Sequence, residues 1–172
     1  MIKVHDKYFE DYILEEEIKK TVTRIASEIK SDYTDFSELI IIGVLNGSIP
    51  FMNDIIFKLP ESITIDYVKA SSYGNSLESS GKVELLLDTK LDIDGKDVLI
   101  IDDIIDSGLT QRFLKDHFSE KNARSVKSCC LFYKKVKADY SGIMIGNDFI
   151  IGYGLDYAQK GRNINRILKL VK

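Results

Sequence analysis

The sequence has only two cysteines and no apolar run long enough to span a membrane. Cys129 and Cys130 are adjacent in an apolar segment, so we expect them to be small buried side chains in a reducing compartment, without a disulfide framework. The longest apolar runs are far shorter than the roughly 20 residues of a membrane helix. Residues 1–7 also lack the apolar core of a signal peptide. These absences predict a cytoplasmic protein with no membrane partner.

Excess positive charge is also missing. The 24 Lys and Arg residues are outnumbered by 27 Asp and Glu residues, which gives a formal net charge of −3. Proteins that bind the nucleic-acid backbone usually carry a basic excess or stripe. We therefore expect no nucleic-acid partner, and any phosphate ligand must be bound by a local set of donors.

The composition that remains is that of an ordinary globular protein, with 44% apolar and 30% charged residues. A chain of 172 residues forms one core by default. We interpret residues 1–172 as a single domain.

Apolar residues follow two periodicities along the chain. Ile18, Val22, Ile25 and Ile29 recur at helical spacing and predict an amphipathic helix between residues 15 and 33. Apolar runs predict strands at residues 39–45, 63–68, 83–87, 97–101 and 126–133, and helices at residues 49–57 and after Gly108, the last with a stripe of Leu109, Phe113 and Phe118. This alternation indicates an α/β fold, in which a mainly parallel sheet is flanked by helices. Ligands of such sheets bind at the carboxyl ends of the strands.

The most informative segment is residues 98–110, where an apolar strand runs into a polar turn that opens a helix. The polar residues are Asp102, Asp103, Asp106, Ser107 and Thr110, with Gly108 among them. Backbone N–H groups at a helix N-terminus, with hydroxyls beside them and a glycine that permits close approach, can hold a phosphate group. The carboxylates are better suited to sugar hydroxyls and a magnesium ion.

The same segment also fits two other kinds of site. Asp106, Ser107 and Thr110 also suit plain helix caps, and this alternative stays open on the pattern alone. A strand that ends in two acids is also typical of the magnesium-binding strand of P-loop nucleotidases. The sequence lacks the Gly-x-x-x-x-Gly-Lys-Ser/Thr loop of those proteins and the Gly-x-Gly-x-x-Gly loop of dinucleotide-binding proteins.

The segment resembles the phosphoribosyl pyrophosphate signature of type I phosphoribosyltransferases. From Leu39 to Asn163 the chain is similar to hypoxanthine-guanine phosphoribosyltransferases, with several independent motifs in the same order. The resemblance implies the type I phosphoribosyltransferase fold, with a small hood over the base site contributed by both chain ends. It also implies a magnesium cofactor and a homodimer or homotetramer.

The resemblance assigns roles within the signature. Asp102 and Asp103 would bind the ribose hydroxyls and magnesium, and Asp106 would be the general base or acid near N7 of the purine. The 5′-phosphate would be held by Ile105, Asp106, Ser107, Gly108, Leu109 and Thr110. The family usually has a lysine where Leu109 stands, so its side-chain help is missing and phosphate affinity is expected to be weaker.

Two further segments resemble the pyrophosphate site. Leu45, Asn46 and Gly47 match the family's pyrophosphate loop, which often has a strained or cis peptide, and Asn46 replaces a common lysine. Arg162 matches the arginine that the family directs at pyrophosphate. Without the resemblance, the first segment would be an ordinary strand-to-helix turn, and Arg162 a solvated surface cation.

The purine site is implied by residues after the predicted strand 126–133. Lys134 would donate to the purine 6-oxo group, Phe149 would stack on the base, and Ile150 would offer its backbone to the base edge. Asp156 would hold a magnesium ion that also contacts pyrophosphate. On pattern alone, Lys134 could be a solvated neighbour of Lys135, and Phe149 part of a core strand.

The polar segment 71–81 is expected to be a mobile loop. By resemblance, Ser72 and Tyr73 would belong to a lid that closes over the reaction centre. The resulting hypothesis is a purine-salvage enzyme that uses phosphoribosyl pyrophosphate and a 6-oxopurine base. The alternative is a regulator of the same fold that binds phosphoribosyl pyrophosphate or nucleotides and controls a partner such as RNA. The sequence does not rank hypoxanthine, guanine and xanthine.

Overall fold

The computed structural model describes residues 1–72 and 83–171, in which strands and helices alternate over most of the chain. In chain order the elements are β1 (Ile2–Val4), β2 (Lys7–Ile13), α1 (Glu15–Asp32), β3 (Leu39–Val44), α2 (Ile49–Ile56), β4 (Thr64–Ser72), β5 (Val83–Leu87), β6 (Asp97–Ile105), α3 (Leu109–Glu120), β7 (Ser125–Tyr133), β8 (Tyr140–Met144), β9 (Ile150–Ile151) and β10 (Ile167–Leu170).

The large sheet has the strand order β5-β4-β3-β6-β7-β8. Five adjacent strands, β4, β3, β6, β7 and β8, pair in parallel. The sixth strand, β5, pairs antiparallel to β4 at the edge. The predicted α/β class with a mainly parallel sheet is therefore confirmed. The chain leaves β3 toward β4 on one side and returns to β6 on the other. The carboxyl ends of β3 and β6 thus flank the point where ligands bind in open α/β sheets.

Alternating side chains of the central strands supply two separate apolar layers. On β3, Leu39 and Ile41 pack into one buried cluster together with α1 and α2, while Ile40 and Ile42 pack into another with α3. Because successive side chains of a strand point to opposite faces, a continuous apolar run is required when both faces are covered. The helices therefore fix the sheet from both sides.

The sequence predicted a buried face for two of the three helices. On α1, the predicted stripe of Ile18, Val22, Ile25 and Ile29 is buried. On α3 the prediction was partly wrong, because Leu109 is 39% exposed and the buried residues are Gln111, Leu114 and Phe118. The spacing of these three matches the helical period, whereas Leu109 lies in the open first turn. None of the helices in the described residues is both long and apolar enough to cross a bilayer.

A second, smaller sheet joins the two ends of the chain in the order β1-β2-β10-β9. β10 pairs antiparallel with both β2 and β9. Its core consists of Val4, Phe9, Ile151 and Leu168, against which Tyr157, Ile164 and Leu170 pack. These four strands were not predicted individually. The single-domain organisation of residues 1–172 stays a prediction.

Candidate active site

β6 carries both candidate ribose-binding acids inside the strand. The sequence predicted that the strand would end at Ile101, but β6 continues to Ile105 and pairs with β7 as far as the Ile105–Tyr133 position. Asp102 is buried and Asp103 partly buried. The two carboxylates lie close enough for the charge of Asp103 to act on Asp102, although their other contacts differ.

Asp102 is held by a residue that the sequence analysis did not identify. Gln111, in the first turn of α3, donates its side-chain N–H to the Asp102 carboxylate at 3.0 Å, and the Asp103 backbone N–H donates to the other oxygen at 3.0 Å. Burial, together with the charge of Asp103, raises the pKa of Asp102 well above its usual range. The available signal was a polar residue on the apolar stripe formed by Leu114 and Phe118.

Asp103 faces the end of β3. Its carboxylate accepts the backbone N–H of Ile104 at 2.8 Å and lies so close to Gly47 that any side chain at position 47 would overlap it. Burial raises the pKa of Asp103, and the nearby positive charge of Arg162 opposes this shift. The pyrophosphate-loop candidate and the acidic strand therefore meet at a glycine.

The turn from β6 to α3 forms an open cavity of about 430 Å³. It is lined by Asp102 and by all six predicted phosphate-binding residues, which are Ile105, Asp106, Ser107, Gly108, Leu109 and Thr110, together with Ile104 and Gln111. We call residues 105–110 the phosphate cradle. Gly108 has φ +79° and is the N-cap residue of α3. The first-turn N–H groups of a helix have no helical acceptor, so the cradle offers them to a ligand.

One polar side chain of the cradle contacts the first turn of α3. The N-cap residue is Gly108, which has no side chain, and the Ser107 hydroxyl accepts a long hydrogen bond from the Leu109 N–H, at 3.5 Å. The interpretation of Asp106, Ser107 and Thr110 as helix caps therefore stays open.

Lys134 lies against Asp106. The ammonium is 3.2 Å from the carboxylate, and the Lys134 backbone N–H donates to the Ile105 carbonyl at 2.9 Å, which extends the β6–β7 pairing by one residue. The Lys134 side chain is 22% exposed, whereas that of Asp106 is 63% exposed. Lys134 is therefore not a freely solvated neighbour of the exposed Lys135.

The pyrophosphate-loop candidate, residues 45–47, follows β3 directly. The peptide bond between Leu45 and Asn46 is cis, and the Leu45 N–H donates to the Val68 carbonyl at 2.9 Å. The Gly47 carbonyl lies against Gly154, where a side chain would collide with it. This contact brings the segment 154–162 next to the carboxyl ends of β3 and β6.

Arg162 is anchored in that segment rather than free at the surface. It forms an ion pair with Asp156 at 2.6 Å and donates to the Gly154 carbonyl at 2.7 Å. Asp156 also accepts the Gln159 backbone N–H at 2.8 Å. The structure therefore brings Arg162, Asp156 and the pyrophosphate-loop candidate together.

The two predicted base-contacting residues lie at the start of β9. Phe149 is 46% exposed and contacts Tyr157 edge-on, with ring centroids 5.7 Å apart and ring planes at 85°. Ile150 is buried in the main core, and its position pairs with Lys169 of β10. Phe149 is therefore an accessible aromatic surface, not a member of the core.

The predicted metal ligands do not form one cluster, and most of the predicted lid lies outside the described residues. Within residues 1–72 and 83–171, His, Cys, Asp and Glu side chains form no cluster of three or more that could hold a metal ion, so Asp102, Asp103 and Asp156 do not share one such site. Ser72 is the last residue of β4, and Tyr73 lies outside the described residues, as does most of the predicted loop 71–81.

Comparison with known proteins gives consistent matches. The family model of the phosphoribosyl transferase domain matches residues 11–158. The hypoxanthine-guanine phosphoribosyltransferase of Bacillus subtilis is 43% identical over 158 residues, which cover 88% of this chain and 87% of that protein. The crystal structure of a hypoxanthine-guanine phosphoribosyltransferase from Bacillus anthracis is 42% identical, with a TM-score of 0.88 over 94% of this chain and 98% of that one.

A more distant solved structure is the hypoxanthine phosphoribosyl transferase of Trypanosoma cruzi. It is 33% identical, with a TM-score of 0.85, and covers 99% of this chain and 95% of that one. That structure addresses the role of the C-terminal region in the oligomeric state and enzymatic activity of that protein.

Proposed function

Because this chain belongs to the phosphoribosyltransferase family, we propose that it transfers the 5-phosphoribosyl group of phosphoribosyl pyrophosphate to N9 of hypoxanthine or guanine. The products are IMP or GMP and pyrophosphate, so the reaction serves purine salvage. The observation that carries the proposal is the contact between Lys134 and Asp106 at the edge of the phosphate cradle. This contact supports the proposal because a donor and a carboxylate lie beside the cavity that would hold the ribose phosphate.

The phosphate cradle binds the 5′-phosphate mainly through backbone N–H groups of residues 105–110. The α3 N-terminus adds the positive end of the helix dipole. Hydrogen bonds to a charged group contribute roughly 1.5–3 kcal/mol each, so several donors can hold a phosphate without a lysine. The hydroxyls of Ser107 and Thr110 line the same cavity and add further donors.

The purine is recognised by contacts on several of its atoms. Lys134 donates to the 6-oxo group, Asp106 takes or gives the proton at N7, and Phe149 stacks on the ring. The backbone of Ile150 contacts the base edge. A 6-amino group would direct its own N–H donors at the Lys134 ammonium, so adenine is rejected by the mismatch of polar groups.

The acidic residues fit a magnesium ion. Mg²⁺ in phosphoryl sites is usually held by one or two carboxylates together with substrate oxygens, and Asp103 lies at the pyrophosphate loop while Asp156 lies beside Arg162. Asp102 and Asp103 would hold one ion with the ribose hydroxyls, and Asp156 would hold another with pyrophosphate. When bound, magnesium neutralises negative charge on the pyrophosphate leaving group.

Pyrophosphate leaves from C1 of the ribose, and N9 attacks from the opposite face with inversion. The backbone of Leu45, Asn46 and Gly47, together with Arg162, binds the leaving group. Fixed donors at the positions where charge develops stabilise such a transition state. A lid that includes Ser72 and Tyr73 excludes water from the electrophilic ribose.

The proposed setting is cytoplasmic, with a homodimer or homotetramer as the assembly. The family resemblance supports both, and the described residues contain no helix that could cross a membrane. The related T. cruzi enzyme was studied for its oligomeric state. Sedimentation analysis of the purified protein would determine the number of subunits.

A nucleotide-formation assay tests the function. Hypoxanthine, guanine, xanthine and adenine are offered separately with magnesium and phosphoribosyl pyrophosphate, and each reaction is repeated with EDTA. Turnover of the 6-oxopurines but not of adenine, lost with EDTA, is the expected result. Binding of phosphoribosyl pyrophosphate without turnover of any base would contradict the proposal and favour the regulator, for which RNA titration at two salt concentrations is the next measurement.

A further inference from the structure

Tyr157 contacts the exposed ring of Phe149 and has no part in the chemistry described above. Its ring meets Phe149 edge-on and lies 6.2 Å from the ring of buried Phe9, and Phe9 lies 6.4 Å from Phe149. We call Phe9, Phe149 and Tyr157 the aromatic cluster. Edge-to-face and tilted contacts at these distances favour a defined relative orientation of the rings. Tyr157 therefore restricts the plane of Phe149.

The turn between β1 and β2 holds Tyr157 in place. The Tyr157 hydroxyl donates to the Asp6 carboxylate at 2.8 Å, and the Lys7 ammonium lies 4.8 Å from the centre of the Tyr157 ring. The ring of His5 is 5.9 Å away. Three consecutive residues, the two of the turn and the first of β2, thus lie against a single tyrosine side chain.

The need for this support follows from the exposure of Phe149. A phenylalanine with 46% of its surface exposed has few neighbours to fix its rotamer. If the ring is mobile, stacking on a base must first order it, and ordering a side chain on binding costs about 0.5–1.5 kcal/mol. A neighbour that already fixes the ring removes part of that cost. Tyr157 can do so only while its own ring is fixed.

From these contacts we infer that Tyr157 and Asp6 are positioning residues for Phe149 and thereby contribute to the affinity for the purine base. The inference rests on the proposed function. It assigns a binding role to the N-terminal turn, which lies outside every motif identified in the sequence. The hydrogen bond between Tyr157 and Asp6 fixes Tyr157, Tyr157 fixes Phe149, and Phe149 stacks on the base.

Calorimetric titration with two ligands tests this inference. IMP occupies the phosphate cradle and the base site, whereas ribose 5-phosphate occupies the cradle alone. The ratio of their dissociation constants therefore reports on the base contacts. Tyr157→Phe keeps the ring but removes the donor, and Asp6→Ala removes the acceptor. Each variant should weaken the binding of IMP by about five-fold, the equivalent of about 1 kcal/mol, and leave the affinity for ribose 5-phosphate unchanged.

Three control variants accompany the titration. Asp6→Asn retains an acceptor for the tyrosine hydroxyl and should restore IMP binding to within two-fold of wild type, about the error of such a comparison. Tyr8→Phe removes a hydroxyl from the same hairpin, at a ring that is 51% exposed, and should change neither ligand. The double variant Tyr157→Phe with Asp6→Ala should bind IMP no more weakly than either single variant, because all three lose the same hydrogen bond.

The outcomes separate this inference from the proposed function. If Tyr157→Phe and Asp6→Ala leave the affinities for both ligands unchanged, or lower both affinities equally, the positioning role is wrong while the proposed function stands. If the wild-type protein binds IMP no more tightly than ribose 5-phosphate, the base site itself is wrong and the inference falls with it.

Discussion

The Lys134 ammonium lies 3.2 Å from the Asp106 carboxylate, at the point where β6 and β7 end. In a 6-oxopurine the 6-oxo oxygen and N7 are neighbouring atoms on one edge of the ring. A donor and a carboxylate held side by side match that edge. The strand register sets their separation, because Lys134 follows Tyr133, which pairs with Ile105.

Asp106→Asn is expected to lower kcat for hypoxanthine by about 10²-fold, since a positioned acid or base contributes about 10²–10⁴-fold. The amide keeps the size of the side chain but cannot exchange the N7 proton. Single-turnover measurement of IMP formation checks this. The exposed Asp116 of α3 provides the control Asp116→Asn, which should retain normal turnover. A loss below about three-fold in Asp106→Asn would exclude a proton-transfer role.

Lys134→Gln should reduce discrimination between hypoxanthine and adenine. A glutamine amide can donate to a 6-oxo group or accept from a 6-amino group, whereas an ammonium can only donate. We expect kcat/KM for hypoxanthine to fall by at least about ten-fold and adenine to become a detectable substrate. Lys135→Gln, at the exposed neighbouring position, should preserve the wild-type preference. Unchanged selectivity in Lys134→Gln would place the 6-oxo contact elsewhere.

Leu109→Lys and Asn46→Lys should each lower the KM for phosphoribosyl pyrophosphate, by about three-fold at low salt, because each adds a cation beside a bound phosphate. Leu109 lines the phosphate cradle and is 39% exposed, so the added side chain has room. The gain should shrink as salt screens the charge. Leu109→Met is the uncharged control. Equal KM values for wild type and both lysine variants would contradict the prediction.

The stability of the ligand-free protein should fall as pH rises through the titration of Asp102. Its pKa is raised in the folded protein by burial and by Asp103. The folded state therefore holds the proton to higher pH than the unfolded chain, whose aspartates have a pKa of about 3.9. The stabilising contribution is complete below that value and is lost as pH rises through the folded-state pKa.

Asp102→Asn removes this titration. In EDTA, the variant should be more stable than wild type at neutral pH by about 1 kcal/mol, which corresponds to a Tm about 2–4 °C higher, while losing activity. The stability difference should close as pH falls below about 3.9, where the wild-type carboxyl becomes protonated in the unfolded state as well. Thermal unfolding over a pH series measures it. A difference that does not depend on pH would mean that the Asp102 charge is not its source.

The turn after Tyr157 is strained at two residues that are not glycine. Tyr157 and Lys160 exchange both backbone hydrogen bonds, and Ala158 and Gln159 between them have φ values of 51° and 64°. Ala158→Gly should stabilise the protein by about 0.5–1 kcal/mol, because glycine adopts positive φ without a steric penalty. Chemical denaturation checks this. Ala123→Gly, at a residue whose φ is not positive, should instead be destabilising or neutral.

The elements that the sequence predicted best are strands buried on both faces and the helix with a clear apolar stripe. β3 and β6 are continuous apolar runs, and α1 has a four-residue apolar stripe, so their periodicity is explicit. β1 has three residues and β9 only two, which is too short for a pattern to be recognised. β6 was predicted four residues too short because Asp102 and Asp103 interrupt its apolar run, although both lie in the strand.

In the candidate site, residues that are contiguous in sequence were predicted better than contacts between distant segments. The phosphate cradle is contiguous in sequence, so its residues were found together. Contacts across the fold were not: the Tyr157–Asp6 hydrogen bond joins residues 151 positions apart, and nothing in either segment indicates the other. Gln111 was missed because a polar residue on a helix is normally expected to face solvent, whereas here it is buried against Asp102.

The small sheet has a consequence for how the protein matures during synthesis. β10 is the strand that joins β2 to β9, and it lies near the end of the sequence, at Ile167–Leu170. On the ribosome, the strand and helix that form the phosphate cradle are both made before β10 exists. β2 is made early and must wait for β10 before the two strands can pair. The half of the site that holds the ribose phosphate is therefore available to fold before β10 is made, and the base-binding half can close only after it.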